Sequence, residues 1–346
     1  MPPPAYLATM KKRRKKRFGL SKLLLSSVSK KYISAVFYFQ NMPAQKNSFK
    51  PYSEVITGSI IYGTMGVFLD RVQDMSVGSV LFCRLFFGLC MIFFYLLLSG
   101  SLEQLRPGKN RKYLLLLGFL NAVTGVCYLS AIRYSGISVA VLLLYTAPVY
   151  VNLLAPSILG EKSSSKSLLP LFLSLAGVLL IARPGEVLGS LNEGADFMKG
   201  LSFGLISGLS FGATIITIRY LRHDYTGISQ TFWLTGISLL FMLPSALTTP
   251  MYTYIGNFST LFLFGLTITF AAILYLKGIS GIRAQTGSIL ALLEPVSGIF
   301  FDTAVLKNPL YISTFLGCVL ILTAAYLVSR KKPADKRLSA DVQPVP

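Results

Sequence analysis

Histidine is almost missing from this chain, with one residue, His223, among 346. It sits in a charged turn, RYLRHDY, with no partner at metal-binding spacing. The four cysteines, Cys83, Cys90, Cys127 and Cys318, lie inside apolar runs and form no CxxC pair. Zinc sites and redox pairs need such spacings, so neither is expected; the cysteines read as small core residues and no cofactor is implied. Charge is scarce as well, at 13% of residues against roughly 25% in soluble domains. One buried core does not account for that deficit. The scarcer sign is acidic, 13 carboxylates against 33 Lys and Arg, for a net charge of +20. Such an excess would suit nucleic acid, but about half of the basic residues lie in the two tails, and nucleic acid is not an expected partner.

Apolar residues fill the gap. They make up 53% of the chain, with a mean hydropathy of +0.61. Runs of about 18 or more recur, each long enough to cross about 30 Å of hydrocarbon as a helix. They do not alternate at period two, which excludes a membrane β-barrel. Ten segments can be marked: 52–69, 77–99, 113–132, 137–158, 167–183, 199–218, 226–246, 258–277, 284–305 and 309–329. The fold expected is therefore all-α and integral to the membrane, with ten transmembrane helices. Short connections make consecutive helices antiparallel neighbours.

Basic residues orient such a bundle, because cytoplasmic loops carry an excess of Lys and Arg. With the N-terminus in the cytoplasm, the four inner loops hold ten of them and the five outer loops five. The outer segment 184–198 also carries Glu186, Glu193 and Asp196. Both termini are expected in the cytoplasm, in a multi-pass protein of the plasma membrane. The tails, 1–51 with its KKRRKKR run and 330–346, would then face anionic headgroups. YISAVFYF is too short and too far from the start for a signal peptide, and Met42 is a second candidate start.

An internal repeat organises the spans. YLSAIRYSGISVAVLLLYTAPVY from Tyr128 aligns with YLKGISGIRAQTGSILALLEPVS from Tyr275 at an offset of 147 residues. Pro148 falls on Pro295, and Tyr128 on Tyr275. At an offset of 149, Tyr62 and Gly63 fall on Phe211 and Gly212. The halves are 52–183 and 199–329, joined by an external linker at 184–198. Five spans per half is odd, so the second half enters the membrane from the opposite side. Two inverted five-helix repeats are an architecture of secondary transporters, with substrate near the midplane. Proline recurs at the centre of spans 4 and 9, where it removes a backbone hydrogen bond and loosens a turn. Glu294, beside Pro295, does not recur; its counterpart is Ala147.

Ionisable groups at membrane depth are costly, and Glu294 is the deepest. It reads either as a proton carrier or contact for a substrate amine, or as an acid satisfied by nearby hydroxyl or backbone groups. Arg84 reads as structural, snorkelling outward or pairing with a carboxylate in the bundle. Glu161, closing span 4, reads as a gate or loop cap, and Asp302 as reaching water. Tyr145, Tyr62, Thr64, Gln285, Trp233 and Tyr275 are polar candidates for substrate contact, with interhelical hydrogen bonding as the other role for each. Gly63 and Gly212 allow close helix approach. Tyr128, Tyr252 and Tyr254 read as interfacial anchors.

At FCRLFFGLCM around Arg84, at YLSAIRYSGISVAVLLLYTAP, at ILGEKSSSKSLLPLFLSLAGVLLI with Glu161, and at LALLEPV and GCVLILTAAYL, the sequence resembles the EamA family of the drug/metabolite transporter superfamily. The resemblance covers about residues 52–330. It implies a ten-helix inverted-repeat carrier moving small metabolites, amino acids or drugs by alternating access. Asn308 stands where that pattern often has an acid. The expected function is secondary active transport of a small-molecule substrate, with proton coupling and a homodimer left open. A nucleotide-sugar or sugar-phosphate exchanger is the alternative within transport, though no Lys–Arg pair at mid-membrane stands ready for a phosphate. A non-transporting membrane scaffold or receptor is the alternative outside it. No catalytic cluster points to an enzyme.

Overall fold

The computed structural model describes residues 49–161, 168–183, 185 and 195–330. The basic tails, Lys162, Lys166, Glu186 and Glu193 lie outside the described residues. The described residues form helices joined by short connections, with no strand among them.

The helices are α1 (Lys50–Tyr62), α2 (Met65–Arg71), α3 (Val77–Leu98), α4 (Arg111–Leu144), α5 (Ala147–Leu159), α6 (Leu168–Ile181), α7 (Ala195–Tyr220), α8 (Gly227–Leu247), α9 (Met251–Gly256), α10 (Phe258–Gly281), α11 (Ala284–Ala291), α12 (Leu293–Val305) and α13 (Ile312–Ser329). Seven helical segments are long and apolar enough to cross a membrane, α11 and α12 counting as one. Two more, α5 and α6, are apolar but shorter. Length alone therefore carries seven crossings and does not carry the expected ten.

Breaks in the helices account for the first and fourth of the expected spans, while α6 starts at the first residue described after Glu161. The segment expected at 52–69 divides at Gly63–Thr64 into α1 and α2. The segments expected at 113–132 and 137–158 part at Gly136 within α4 (Arg111–Leu144), and the second of them breaks again at Tyr145 and Thr146 before α5. Inside α4 the direction changes at Gly136, whose φ of 79° and ψ of 165° suit no residue with a Cβ. At the equivalent place in the second half the chain passes through extended Ile282 and Arg283 instead.

Contacts between the halves come in reciprocal pairs. α4 packs along α7, and α10 along α1, so each first helix of one half lies on the third of the other. α8 against α4 is answered by α3 against α10. The remaining pairs, α3 with α8 and α6 with α13, join like to like. Single contacts repeat the pattern. Gly118 lies against Ile237 as Gly265 lies against Phe87, and Gly63 against Ser297 as Gly212 against Tyr150. In the crossing of α6 and α13, a Cβ on Gly177 would stand 2.7 Å from the Gly317 carbonyl, and one on Gly317 would stand 2.6 Å from the Gly177 carbonyl. Only glycine lets two backbones meet so closely.

The outer face is apolar. Leu98 is 87% exposed, Ile312 80% and Leu240 67%. An aqueous surface would not carry so many large side chains, whereas hydrocarbon does.

Candidate functional site

Repeat-equivalent breaks set the site. α4 ends before Tyr145 and Thr146; α11 ends at Ala291, and Leu292 stands 147 residues after Tyr145. Proline follows each break, Pro148 in the first turn of α5 and Pro295 in that of α12. With its N–H missing, the ladder gives way to tighter i to i+3 bonds, Thr146 N to Leu143 O at 3.2 Å and Leu292 N to Ile289 O at 3.1 Å. The Thr146 hydroxyl also donates to Leu143 O at 2.6 Å.

The second break explains where the acid sits. Glu294 lies in the first turn of α12, at a helix N-terminus created within the membrane. Unpaired N–H groups there favour negative charge. The same position in α5 is Ala147, packed under α7, and the Ala147 carbonyl lies against Gly212.

A cavity of about 210 Å³ lies between the halves, with Glu294 in its wall. Tyr62, Arg84, Tyr128 and Tyr145 line it from the first half, and Phe211, Thr235, Tyr275 and Glu294 from the second. The repeat shows in its walls, since Tyr62 faces it with its counterpart Phe211, and Tyr128 with Tyr275. Charge breaks the symmetry. Tyr145 and Glu294 both line the cavity and lie within electrostatic reach of each other, which sets the two breaks together at its wall. Arg84 lies within electrostatic reach of Glu294 and Tyr62, but no ion pair joins Arg84 to Glu294 among the described residues. Tyr62 and Tyr275 meet edge to face, with ring centroids 6.0 Å apart.

Some polar groups in the wall are already satisfied. The Asn121 amide donates to Ser238 Oγ at 2.8 Å, and the Thr124 hydroxyl donates to Leu120 O at 2.8 Å. Arg84 Nε and the Tyr275 hydroxyl are buried with no hydrogen-bond partner in the protein. Buried donors are rarely left this way, so both retain capacity for a bound solute or water. No cluster of metal-ligating side chains occurs among the described residues.

The structure brings Glu294, Tyr145, Tyr62 and Tyr275 to this cavity together with Arg84. It places the other candidates elsewhere. Thr64 bonds back to Ile61 O at 2.7 Å. Trp233 donates Nε1–H to Leu105 O at 3.2 Å, between α8 and the segment after α3. Gln285 is buried in the first turn of α11, outside the cavity wall. Glu161 meets Arg219 at 3.0 Å, away from the cavity. Gly63 holds α1 against α12, and Gly212 holds α7 against α5. Tyr128 corrects the expectation of an interfacial anchor, because it turns into the cavity. Its alignment with Tyr275, inside span 8, was the signal available in the sequence.

Residues 51–183 and 198–330 each match the EamA-like transporter family. Among curated relatives, an uncharacterized transporter of Archaeoglobus fulgidus is 29% identical over 80% of this chain and 95% of its own length. The uncharacterized transporter YetK of Bacillus subtilis is 23% identical over 84% and 86%. An uncharacterized membrane protein of Saccharomyces cerevisiae, YMR253C, is 28% identical over 68% of this chain and 61% of its own. A protein of known crystal structure superposes with a TM-score of 0.68 over 80% of this chain and 96% of its own, at 15% identity, which shows a common fold.

Proposed function

The chain belongs to the EamA-like transporter family, and on that premise we propose that it is a secondary active transporter working by alternating access around the cavity of Glu294. The family and its relatives point to membrane transport rather than to an enzyme. The observation that carries the finer reading is the cavity between the two halves, with its lone acid and with unsatisfied donors on Arg84 and Tyr275.

We read the chain as ten crossings in two inverted halves. The reciprocal contacts support this, because each pairing of helices returns when the halves are exchanged. Exchange of the same contacts between two packings is what rocking of one half on the other requires. Both ends of the chain lie in the cytoplasm on this reading, and the protein sits in the plasma membrane. Glu294 either carries a proton or meets a cationic group of the solute. A cavity of about 210 Å³ is smaller than the roughly 300–1,000 Å³ of drug-sized sites. It suits a small metabolite or amino acid better than a nucleotide sugar, and no Lys–Arg pair lines it.

Counterflow tests this reading. The purified protein in liposomes is screened with labelled amino acids, amines and small metabolites, with and without a pH gradient. Counterflow of at least one solute is expected, and Glu294→Gln is expected to abolish it or to remove its gradient dependence. No counterflow across the panel would refute transport of these solutes. Normal transport and coupling in Glu294→Gln would refute the role given to the acid.

A further inference from the structure

Glu161 ends the described part of the span that begins at α5, and two helices of the other half converge on it. Arg219, at the end of α7, places Nε 3.0 Å from Oε1 of Glu161. The backbone N–H of Ala284, at the start of α11, donates to Oε2 at 2.9 Å. Arg219 also donates through Nη1 to the carbonyl of Ser280 in the last turn of α10. Side chains of Glu161 and Arg219 are only 10% and 15% exposed, so water and salt weaken the pair little. One carboxylate thus ties the first half to two separate helices of the second.

At the opposite end the halves are joined by uncharged hydrogen bonds: Asn257 Nδ2 donates to Gln73 O at 3.0 Å, Gln73 N donates back to Asn257 Oδ1 at 3.2 Å, and Ser79 Oγ donates to Ser245 O at 2.7 Å. The repeat places Asn308 at the position of Glu161, and Asp70 at that of Arg219, at the offsets of 147 and 149 residues. Neither can form the ion pair. Asn308 turns back into its own connection, donating from Nδ2 to Asp302 Oδ1 at 2.8 Å. At the Glu161 end a second ion pair between the halves, Lys277 Nζ to Glu54 Oε1 at 3.0 Å, joins the end of α10 to the start of α1. The backbone architecture repeats between the halves, and the charges at its two ends do not.

We propose that Glu161 and Arg219 form a latch that holds the bundle closed at their end, so that the empty protein presents its cavity to the opposite face of the membrane. Glu161 acts here as a positioning residue and does not touch the solute. The proposal rests on the alternating-access reading, since a latch biases only a protein with two packings. An interaction made in one state alone shifts the balance between states by its own free energy. Losing this one is expected to move the population roughly tenfold, which corresponds to about 1.4 kcal/mol.

The test is side-resolved labelling of one thiol in the full chain. Cys83, Cys90, Cys127 and Cys318 are replaced by serine or alanine, and Gly125→Cys supplies the reporter. Gly125 lines the cavity, and a Cβ there would meet only Met242 Cε at 3.6 Å. A membrane-impermeant thiol reagent is applied to sealed vesicles of each orientation. With the latch intact, the reporter is expected to react from the face opposite Glu161. Glu161→Gln and Arg219→Gln are each expected to raise labelling from the Glu161 face roughly tenfold, and the double variant to add little to either. Unchanged labelling from both faces, in variants that purify as monodisperse protein with unaltered melting, would overturn the latch. Arg219→Gln carries the test if Glu161→Gln does not fold. Labelling needs no solute, so it fails separately from counterflow. Shifted labelling without counterflow supports the latch and refutes only transport of the solutes in the panel, and counterflow with unshifted labelling supports transport and overturns the latch.

Discussion

Gly63 and Gly212 are equivalent in the repeat, yet replacing each by alanine should have different consequences. At Gly63 a new methyl would stand 2.6 Å from Gly298 N and 2.8 Å from Ser297 C, both backbone atoms. Ordinary contact begins at 3.4 Å, so α1 and α12 would have to part by about 0.8 Å. At Gly212 the nearest atoms are Ala147 O at 3.1 Å and Tyr150 Cβ at 3.2 Å, a deficit of about 0.3 Å. Overpacking costs roughly 1–3 kcal/mol, and the larger shift belongs near the top of that range. Alanine returns at most about 1 kcal/mol through helix propensity. Gly63→Ala should therefore destabilise by about 1–2 kcal/mol, while Gly212→Ala stays within about 0.5 kcal/mol of the parent. The assay is thermal unfolding in detergent, followed by a thiol-reactive dye that reaches buried Cys83 and Cys127 on unfolding. A clear drop in melting temperature is expected for Gly63→Ala alone. Equal drops in both variants would show that repeat position, and not the local contact, sets the cost, and would refute the packing described for α1 and α12.

Three further outcomes follow from single contacts. Tyr275→Phe removes a buried hydroxyl that has no partner, so melting should hold or rise, while counterflow should weaken if that hydroxyl meets the solute. Trp233→Phe forfeits the bond to Leu105 O and should cost about 1 kcal/mol in the same unfolding assay, with the solute concentration at half-maximal counterflow unchanged because Trp233 is outside the cavity wall. Gly136→Ala meets no atom within 4 Å, so any loss, expected at roughly 1–2 kcal/mol, reports backbone strain at positive φ and not a clash.

Much of the fold was legible along the chain. Apolar runs marked the helices, and the boundary expected between 132 and 137 matches the turn at Gly136. Pro148 and Pro295 marked the two breaks, because a missing N–H acts on the turn beside it. The depth of Glu294 was legible too, since an acid inside a long apolar run has few other readings. The number of full-length crossings was not, because a break such as Gly63–Thr64 depends on what α12 packs against it.

What the sequence determined by itself was whatever one stretch of chain or its repeat settles: helix, membrane, two related halves, a turn loosened at each proline. Only tertiary structure decided which side chains meet. It turned Tyr128 into the cavity, left Trp233, Thr64 and Gln285 out of it, set Arg84 near Glu294, and gave Glu161 its partner in Arg219. The reason is physical. A helix in water betrays its buried face by an apolar stripe, whereas these helices are apolar on nearly every side because lipid surrounds the bundle. Their rotation is then fixed by glycine contacts and polar pairs between segments far apart in sequence, which appear only when the helices are assembled.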